Sequence, residues 1–155
     1  MFETQRCERL AAMSLRDHVL NQATAVHRAV FKLSRGRLTG GIYGMPVLEL
    51  VTTGAKSGQR RSVMLTSPLR HKGSLVVVAS KGGDPRSPAW YHNLVAHPEV
   101  EVSLGDRSAT MHARVLDSQE RDALWPKVVD SYGGYGGYQE KTTREIPLVV
   151  LEGEL

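Results

Sequence analysis

A glycine-bearing basic turn, residues 56–61, carries side chains that are well suited to holding an anion. It combines three cations with a hydroxyl and an amide in the order Lys-Ser-Gly-Gln-Arg-Arg. Arginine offers a planar fork of donors, lysine a point charge, and a glycine turn free N–H groups, which together suit phosphate and carboxylate groups. The spacing is not that of the nucleoside-triphosphate loop, because no Gly-Lys-Ser/Thr follows a first glycine at the right distance. A solvated hairpin turn without a ligand is the alternative.

A second glycine turn, Ser80-Lys-Gly-Gly83, follows an apolar segment and precedes a predicted helix. Exposed N–H groups and a cation between a strand and a helix start can hold an anion. We expect Ser87 to cap the helix and Pro88 to take its first position. Trp90 then either stacks on a planar ring or anchors the helix to the protein core. The two basic turns together predict an anionic ligand, provided that they converge in space.

Three tyrosines, Tyr132, Tyr135 and Tyr138, are spaced by three residues in a glycine-rich segment. A mobile aromatic flap over a pocket would suit them, since phenols offer hydroxyl donors and flat apolar walls. The alternative is a loop whose tyrosines pack on the mouth of a barrel. The segment itself does not choose between these two hypotheses.

Other kinds of catalytic site find no support in the sequence. The single cysteine, Cys7, excludes an intramolecular disulfide, and no Cys/His cluster has zinc spacing, so we predict no metal site. We find no Ser-His-Asp set and no pair of carboxylates aimed at one site. With so little acid–base machinery, a redox enzyme whose cofactor does the chemistry is favoured over a hydrolase.

The net charge of +4 and the pI near 9.4 agree with an acidic small ligand, a membrane surface or nucleic acid. Nucleic acid is the weakest of the three, because the net charge is small and no strand alternates basic and aromatic residues. No apolar run reaches the ~18 residues of a membrane span, and the N-terminus does not resemble a signal peptide. We therefore predict a cytoplasmic protein with a small-molecule partner and no nucleic-acid partner.

An amphipathic helix is predicted over residues 14–34, because apolar residues recur there at helical spacing opposite a basic face. This helix either covers one side of a sheet or docks peripherally on the inner face of the cell membrane. We treat residues 1–37 as an N-terminal helical unit and residues 38–155 as a single barrel domain.

From residue 46 onward, the pattern is that of a β-rich domain. Helices are predicted from Pro88 to His97, from a cap at Ser118, and near residues 139–143. About six mainly antiparallel strands with three to four helices indicate an α+β barrel. The strands are predicted over 47–53, 62–68, 75–79, 100–104, 108–116 and 147–151, with Gly105-Asp106 as a hairpin turn.

Several motifs, in order, resemble the deazaflavin (F420)-dependent nitroreductase and quinone reductase family. The resemblance implies a split β-barrel, related to the FMN-binding barrels, over residues 38–155. It also implies an actinobacterial oxidoreductase that binds coenzyme F420 (8-hydroxy-5-deazaflavin), with its phosphate and oligoglutamate tail. Members pass hydride from the reduced cofactor to a quinone, a nitroaromatic or an activated enone. The motifs that carry the resemblance are residues 46–61, 79–83, 88–94, 97–100 and 144–147.

The same resemblance implies roles for the two turns and the tyrosines. The first turn holds the phosphate and tail, the second turn and the following helix complete the cofactor site, and the tyrosines line the acceptor pocket, where one is a candidate proton donor. The alternative is a non-catalytic protein that binds F420 or an apolar ligand in the same barrel. The expected cofactor-binding residues are Lys56, Ser57, Gly58, Gln59, Arg61, Ala79, Ser80, Lys81, Gly82, Gly83, Trp90 and Asn93, and the catalytic candidates are Tyr132, Tyr135 and Tyr138.

Overall fold

The computed structural model describes residues 41–155, in which an antiparallel sheet of seven strands is the main element. The strand order is β2-β1-β5-β6-β7-β4-β3. The strands are β1 (Val47–Thr53), β2 (Arg60–Thr66), β3 (Leu69–His71), β4 (Ser74–Val78), β5 (Glu99–Leu104), β6 (Arg107–Val115) and β7 (Leu148–Glu152). The helices are α1 (Ala89–Ala96), α2 (Ser118–Ser131) and α3 (Gly134–Glu140), and a 3-10 turn covers Lys81–Gly83.

Alternating apolar side chains place a buried cluster on each face of the sheet. In β4, Leu75 and Val77 belong to one cluster, whereas Val76 belongs to the other. β7 alternates in the same way, with Val149 in the first cluster and Val150 in the second. Because successive side chains of a strand point to opposite faces, these central strands are buried on both sides.

The sheet curls into a half-barrel, because β2 and β4 contact each other although they lie near opposite ends of the strand order. The first cluster fills the interior of this half-barrel, where α1 contributes Trp90 and Leu94. The second cluster lies on the outer face, under α2 and α3. This architecture confirms the predicted α+β split barrel.

The described sheet has seven strands instead of about six, because a short strand, Leu69–His71, follows Pro68. Its three residues are too few to show an alternation in the sequence. The glycine and tyrosine segment forms α3, whereas we predicted a helix only near residues 139–143. Spaced by three, Tyr135 and Tyr138 share one face of α3, and their packing compensates for the low helix propensity of its glycines.

Two helix starts differ by one residue from the predictions. Asp117, rather than Ser118, caps α2 in a capping box, because its carboxylate accepts from the Glu120 N–H at 2.8 Å. Pro88, rather than Ser87, is the N-cap of α1, and no side-chain hydrogen bond caps that helix. The ψ of Pro88 is 153°, an extended conformation that cannot belong to the first helical turn.

The predicted helix over residues 14–34, and the unit 1–37 to which it belongs, lie outside the described residues. Between residues 41 and 155, no helix is long and apolar enough to cross a bilayer. The same stretch contains no group of three or more His, Cys, Asp or Glu side chains placed to hold a metal ion.

Candidate functional site

The first basic turn joins β1 to β2 and is closed by its own backbone. The Gly54 N–H donates to the Gln59 carbonyl and the Gly58 N–H to the Gly54 carbonyl, each at 2.8 Å. Gly58 has a φ of +66°, a left-handed conformation that favours glycine. The Ser57 hydroxyl accepts from the Gln59 N–H at 3.2 Å, and the Gln59 side-chain oxygen accepts from Arg61 at 3.0 Å. Ser57 and Gln59 thus shape the turn, whose outer surface is exposed.

The three cations of this turn are not equivalent. Arg60 forms a bidentate ion pair with Glu101 on β5, in which one bond measures 2.7 Å, and this pairing raises the pKa of Arg60. Lys56 is exposed and has no hydrogen-bonded or ionic partner among residues 41–155. The Arg61 guanidinium bonds the neutral amide of Gln59 and no described carboxylate. Lys56 and Arg61 are therefore available to an anion, and Arg60 is already neutralised.

Asn93, in the middle of α1, bonds that helix to β1 and to the residue that precedes the first turn. Its side-chain oxygen accepts from the Ala55 N–H at 3.0 Å, and its side-chain nitrogen donates to the Thr52 hydroxyl at 3.1 Å. Thr52 is buried and in turn donates to the Arg61 carbonyl at 3.3 Å. Trp90, one turn earlier in α1, is buried in the barrel interior and anchors the helix there. Its stacking on a planar ligand stays a prediction.

The second turn is a left-handed segment that is covered on one side only. Lys81, Gly82 and Gly83 have φ values of +45°, +64° and +85°. A Cβ at Gly83 would lie 2.6 Å from the Tyr138 carbonyl oxygen, whereas a Cβ at Gly82 would meet no described atom within 4 Å. The turn therefore packs tightly against α3 at Gly83 and is open to a ligand at Gly82.

Asp84 follows the second turn and is charged throughout the neutral pH range. Its side-chain hydrogen bond with Arg86 at 3.2 Å, together with the bond from the Arg86 N–H at 2.8 Å, lowers the pKa of Asp84 to about 2. The Lys81 ammonium lies 3.8 Å from the same carboxylate. The lysine of the second turn is therefore partly neutralised, unlike Lys56 of the first turn.

Arg144 is a site residue that we did not select from the sequence. Its guanidinium donates to the carbonyl oxygens of Ala79, Ser80 and Asp84 at 3.0, 2.9 and 2.9 Å. These bonds hold the second turn at both ends. Nη1 is buried without a hydrogen-bond partner among the described residues, and burial lowers the pKa of Arg144. The sequence could have identified Arg144 as a site residue, because it lies in the motif at residues 144–147 that carries the family resemblance.

The three tyrosines form one aromatic cluster beside the second turn. Tyr135 is 6% exposed, and its hydroxyl lies 3.1 Å from that of Thr66 at the end of β2. Burial raises the pKa of Tyr135, so its phenol stays protonated in the neutral range. The Tyr132 ring packs edge-on against those of Tyr135 and Tyr138, with centroids 5.5 and 6.5 Å away. This arrangement agrees with the hypothesis of packed tyrosines rather than with that of a mobile flap. The segment that carries Tyr135 and Tyr138 is a helix, however, and not the loop that this hypothesis assumed.

The first turn and the tyrosine cluster lie at opposite ends of the same pair of strands. Thr53 of β1 pairs with Arg60 of β2 beside the first turn. At the other end, Val47 pairs with Thr66, the residue that Tyr135 contacts. At ~3.3 Å per residue, the seven residues of β1 separate these ends by roughly 20 Å. The structure thus brings the second turn and the tyrosines into contact and leaves the first turn at the other end of the strands. A ligand that reaches both places has to be elongated, with its anionic end at the first turn.

The chain matches a known protein family over most of its length. The family model described as F420H(2)-dependent quinone reductase matches residues 24–153. An F420H(2)-dependent quinone reductase of Mycobacterium tuberculosis is 42% identical over 141 residues, which cover 88% of this chain and 94% of the relative.

Solved structures are similar as well. An F420-H2 dependent reductase (FDR-A) has a TM-score of 0.62 and 44% identity, covering 69% of this chain and 94% of that one. A structure described as a domain-swapped dimer has a TM-score of 0.63 and 39% identity, covering 83% of this chain and 96% of that one. The heme storage protein HutZ from Vibrio cholerae has a TM-score of 0.55 and 14% identity, covering 82% of this chain and 89% of that one, and shares the fold alone. The resemblance drawn from the sequence motifs is confirmed, and the chain belongs to the F420H(2)-dependent quinone reductase family.

Proposed function

We propose that the protein uses reduced coenzyme F420 to transfer a hydride to a quinone-type small-molecule acceptor. The observation that carries this proposal is the contact between the second turn and α3, where Gly83 lies against the Tyr138 carbonyl. Hydride transfer requires cofactor and acceptor to be held within a few ångströms, so a cofactor-binding turn and an acceptor-binding cluster have to adjoin. Membership of a family named for F420H(2)-dependent quinone reduction supports the choice of cofactor and acceptor.

The first turn fits the anionic part of F420, its phosphate and oligoglutamate tail. Lys56 and Arg61 supply cations that no described carboxylate neutralises. The N–H groups of Lys56 and Ser57 donate to no described residue, so they are free for the oxygen atoms of a phosphate. Because charge-assisted hydrogen bonds are roughly twice as strong as neutral ones, these donors would supply much of the affinity.

The second turn fits the ring part of the cofactor. Gly82 has no described atom near its missing Cβ, so a ligand can approach the backbone closely there. Asp84 partly neutralises Lys81, so the half-buried Arg144 guanidinium is the main positive charge at the turn, and it would favour the anionic form of the acidic deazaflavin hydroxyl. The Arg144 bonds to the turn carbonyls also limit its movement, which keeps the bound ring in one orientation.

When bound, the reduced deazaflavin supplies a hydride, which is two electrons at once. The protein itself has to orient the acceptor, exclude water and provide a proton to the reduced acceptor oxygen. Tyr135 is held beside Thr66 with its phenol protonated, which suits a hydrogen-bond donor to that oxygen. Tyr132 and Tyr138 are less buried and are further candidates for the proton donor.

A fluorescence titration of the purified protein with F420, in parallel with flavin mononucleotide, tests the cofactor. We expect micromolar or tighter binding of F420, and a preference for flavin mononucleotide would overturn this assignment. The loss of F420H2 absorbance on adding a quinone then tests the reaction. Tight F420 binding without turnover of any quinone would favour the alternative, a non-catalytic F420-binding protein.

We further propose a cytoplasmic location with peripheral contact at the inner face of the cell membrane. The basic face of the sequence segment 14–34 and the lipophilic character of quinones support this location. We expect the full chain to co-sediment with vesicles that contain anionic lipid. A chain that stays in the supernatant even at low salt would contradict the proposal.

A further inference from the structure

A strained two-residue turn immediately before β1 presents an aromatic side chain to solvent. Ile42 and Met45 exchange two backbone hydrogen bonds of 3.0 Å, which close the turn. Its central residues, Tyr43 and Gly44, have φ values of +53° and +76°. A two-residue turn with two positive φ values is of type I′, in which Asn, Asp and Gly are strongly preferred. The turn therefore keeps a tyrosine that its own backbone disfavours.

The ring of Tyr43 extends the tyrosine cluster outward. It stacks on Tyr132, with centroids 4.5 Å apart and an angle of 19° between the ring planes. Tyr132 in turn packs edge-on against Tyr135 and Tyr138. Tyr43 is nevertheless 70% exposed, so the ring face that points away from Tyr132 is open among residues 41–155. Burial alone does not explain why a tyrosine occupies this position.

We propose that Tyr43 is an acceptor-binding residue, and that the free face of its ring is a platform on which the flat ring of a quinone stacks. This inference rests on the proposed function, in which the tyrosine cluster is the acceptor side of the site. The two backbone hydrogen bonds fix the turn, so the platform is ordered before the acceptor binds. Parallel offset stacking is a favoured geometry for two flat rings, and the Tyr43–Tyr132 pair already displays it.

The substitution Tyr43→Asn separates acceptor binding from folding. It creates the Asn-Gly pair that is favoured in this turn type, and this gain opposes the loss of the stack on Tyr132, so the midpoint of thermal unfolding should change little. The Kd for 1,4-naphthoquinone, measured by quenching of protein fluorescence without turnover, should rise about threefold to tenfold, the range for one lost aromatic stack. The KM for naphthoquinone in F420H2 oxidation should rise in parallel, and the Kd for F420 should not change.

Two further substitutions are matched controls for the loss of the ring. Tyr43→Phe keeps the aromatic face and should keep the wild-type Kd for naphthoquinone. Ile42→Asn introduces the same polar side chain one position earlier, at a residue that is 47% exposed in the same turn. It should leave the naphthoquinone Kd unchanged, because Ile42 offers no ring.

An unchanged naphthoquinone Kd in Tyr43→Asn would overturn the inference, and so would wild-type protein that binds no naphthoquinone. A lower Kd would overturn it too, since the ring would then block the site instead of supporting the acceptor. The proposed function fails in a different way. Wild-type protein that binds naphthoquinone but does not oxidise F420H2 with it would refute the reaction, while the Kd comparison would still decide the role of Tyr43.

Discussion

The two basic turns contain the same kinds of residue but are supported in opposite ways. The first turn, residues 56–61, is exposed, and the side-chain amide of Asn93 bonds α1 to the two residues Thr52 and Ala55 that precede it. The second turn, residues 80–83, is backed by the Arg144 guanidinium and by the Tyr138 carbonyl. The first turn leaves two of its three cations, Lys56 and Arg61, without a described carboxylate partner, and the second turn is held in place. We therefore expect substitutions in the first turn to change ligand affinity and substitutions at the second turn to change stability.

The largest effect should come from Gly83, where the second turn meets α3. A Cβ there would lie 2.6 Å from the Tyr138 carbonyl oxygen, at a φ of +85° that disfavours any side chain. Gly83→Ala should lower the free energy of unfolding, measured in urea, by about 3 kcal/mol or more. Gly82→Ala is the matched control, because its φ is also positive but no atom of the described chain lies within 4 Å of the added Cβ, and it should cost about 1–2 kcal/mol. Equal losses would mean that contact with α3 does not hold the turn.

Removing the cation behind the second turn should have the next largest effect. In Arg144→Leu, the carbonyl oxygens of Ala79, Ser80 and Asp84 lose the guanidinium, although the Ser80 carbonyl still accepts from the Gly83 N–H, and lost hydrogen bonds to partly buried acceptors are costly. We expect the free energy of unfolding to fall by about 2–3 kcal/mol, with weaker F420 binding as well. Arg144→Lys keeps the charge but lacks the planar fork, so it should recover only part of the loss. An Arg144→Leu protein with wild-type stability and F420 affinity would contradict the supporting role.

In the first turn, the expected change is in affinity and not in stability. Lys56→Ala should raise the Kd for F420 about tenfold or more, because a charge-assisted bond contributes roughly 1.5–3 kcal/mol. Thermal unfolding should be unchanged, since Lys56 has no partner in the described part of the chain. Arg60→Ala also removes one positive charge, but Glu101 already pairs with Arg60, so this substitution should raise the Kd for F420 less. If calorimetric titration gave the same Kd for both variants, only the net charge of the turn would matter.

The smallest effect is expected for Tyr135→Phe, which removes one hydrogen bond with Thr66 and should cost about 1 kcal/mol at neutral pH. Burial raises the pKa of Tyr135 in the folded protein, so on raising the pH the unfolded chain loses the phenolic proton first. The contribution of this phenol to stability is therefore complete below the unfolded pKa of ~10 and is lost as the pH rises through the folded value. Urea unfolding between neutral and alkaline pH should show the wild-type advantage over Tyr135→Phe shrinking. A constant advantage would argue against a buried, protonated phenol.

The strands could be predicted from short stretches of sequence. The branched residues at 47–53 predicted the observed bounds of β1, and Gly105-Asp106 predicted the hairpin between β5 and β6. Both signals are local, since alternation and turn chemistry depend on a few adjacent residues.

The supports of the site could not be predicted in this way, because they join residues that are far apart in the sequence. Arg144 bonds Ala79 across 65 residues, and Asn93 bonds Thr52 across 41. The helical state of α3 was missed for a related reason, since burial of Tyr135 under the sheet overrides the low helix propensity of the neighbouring glycines. The cofactor-binding roles of the turn residues stay predictions.

The contact of Gly83 with the Tyr138 carbonyl joins one main chain directly to another. At Gly83 the spacing between the second turn and α3 is therefore set by backbone atoms of residue 138 and not by its ring. For enzyme engineering, position 138 can be varied without removing this backbone contact. A library at that single position could search for new acceptors while Tyr132 and Tyr135 keep the packing of the aromatic cluster.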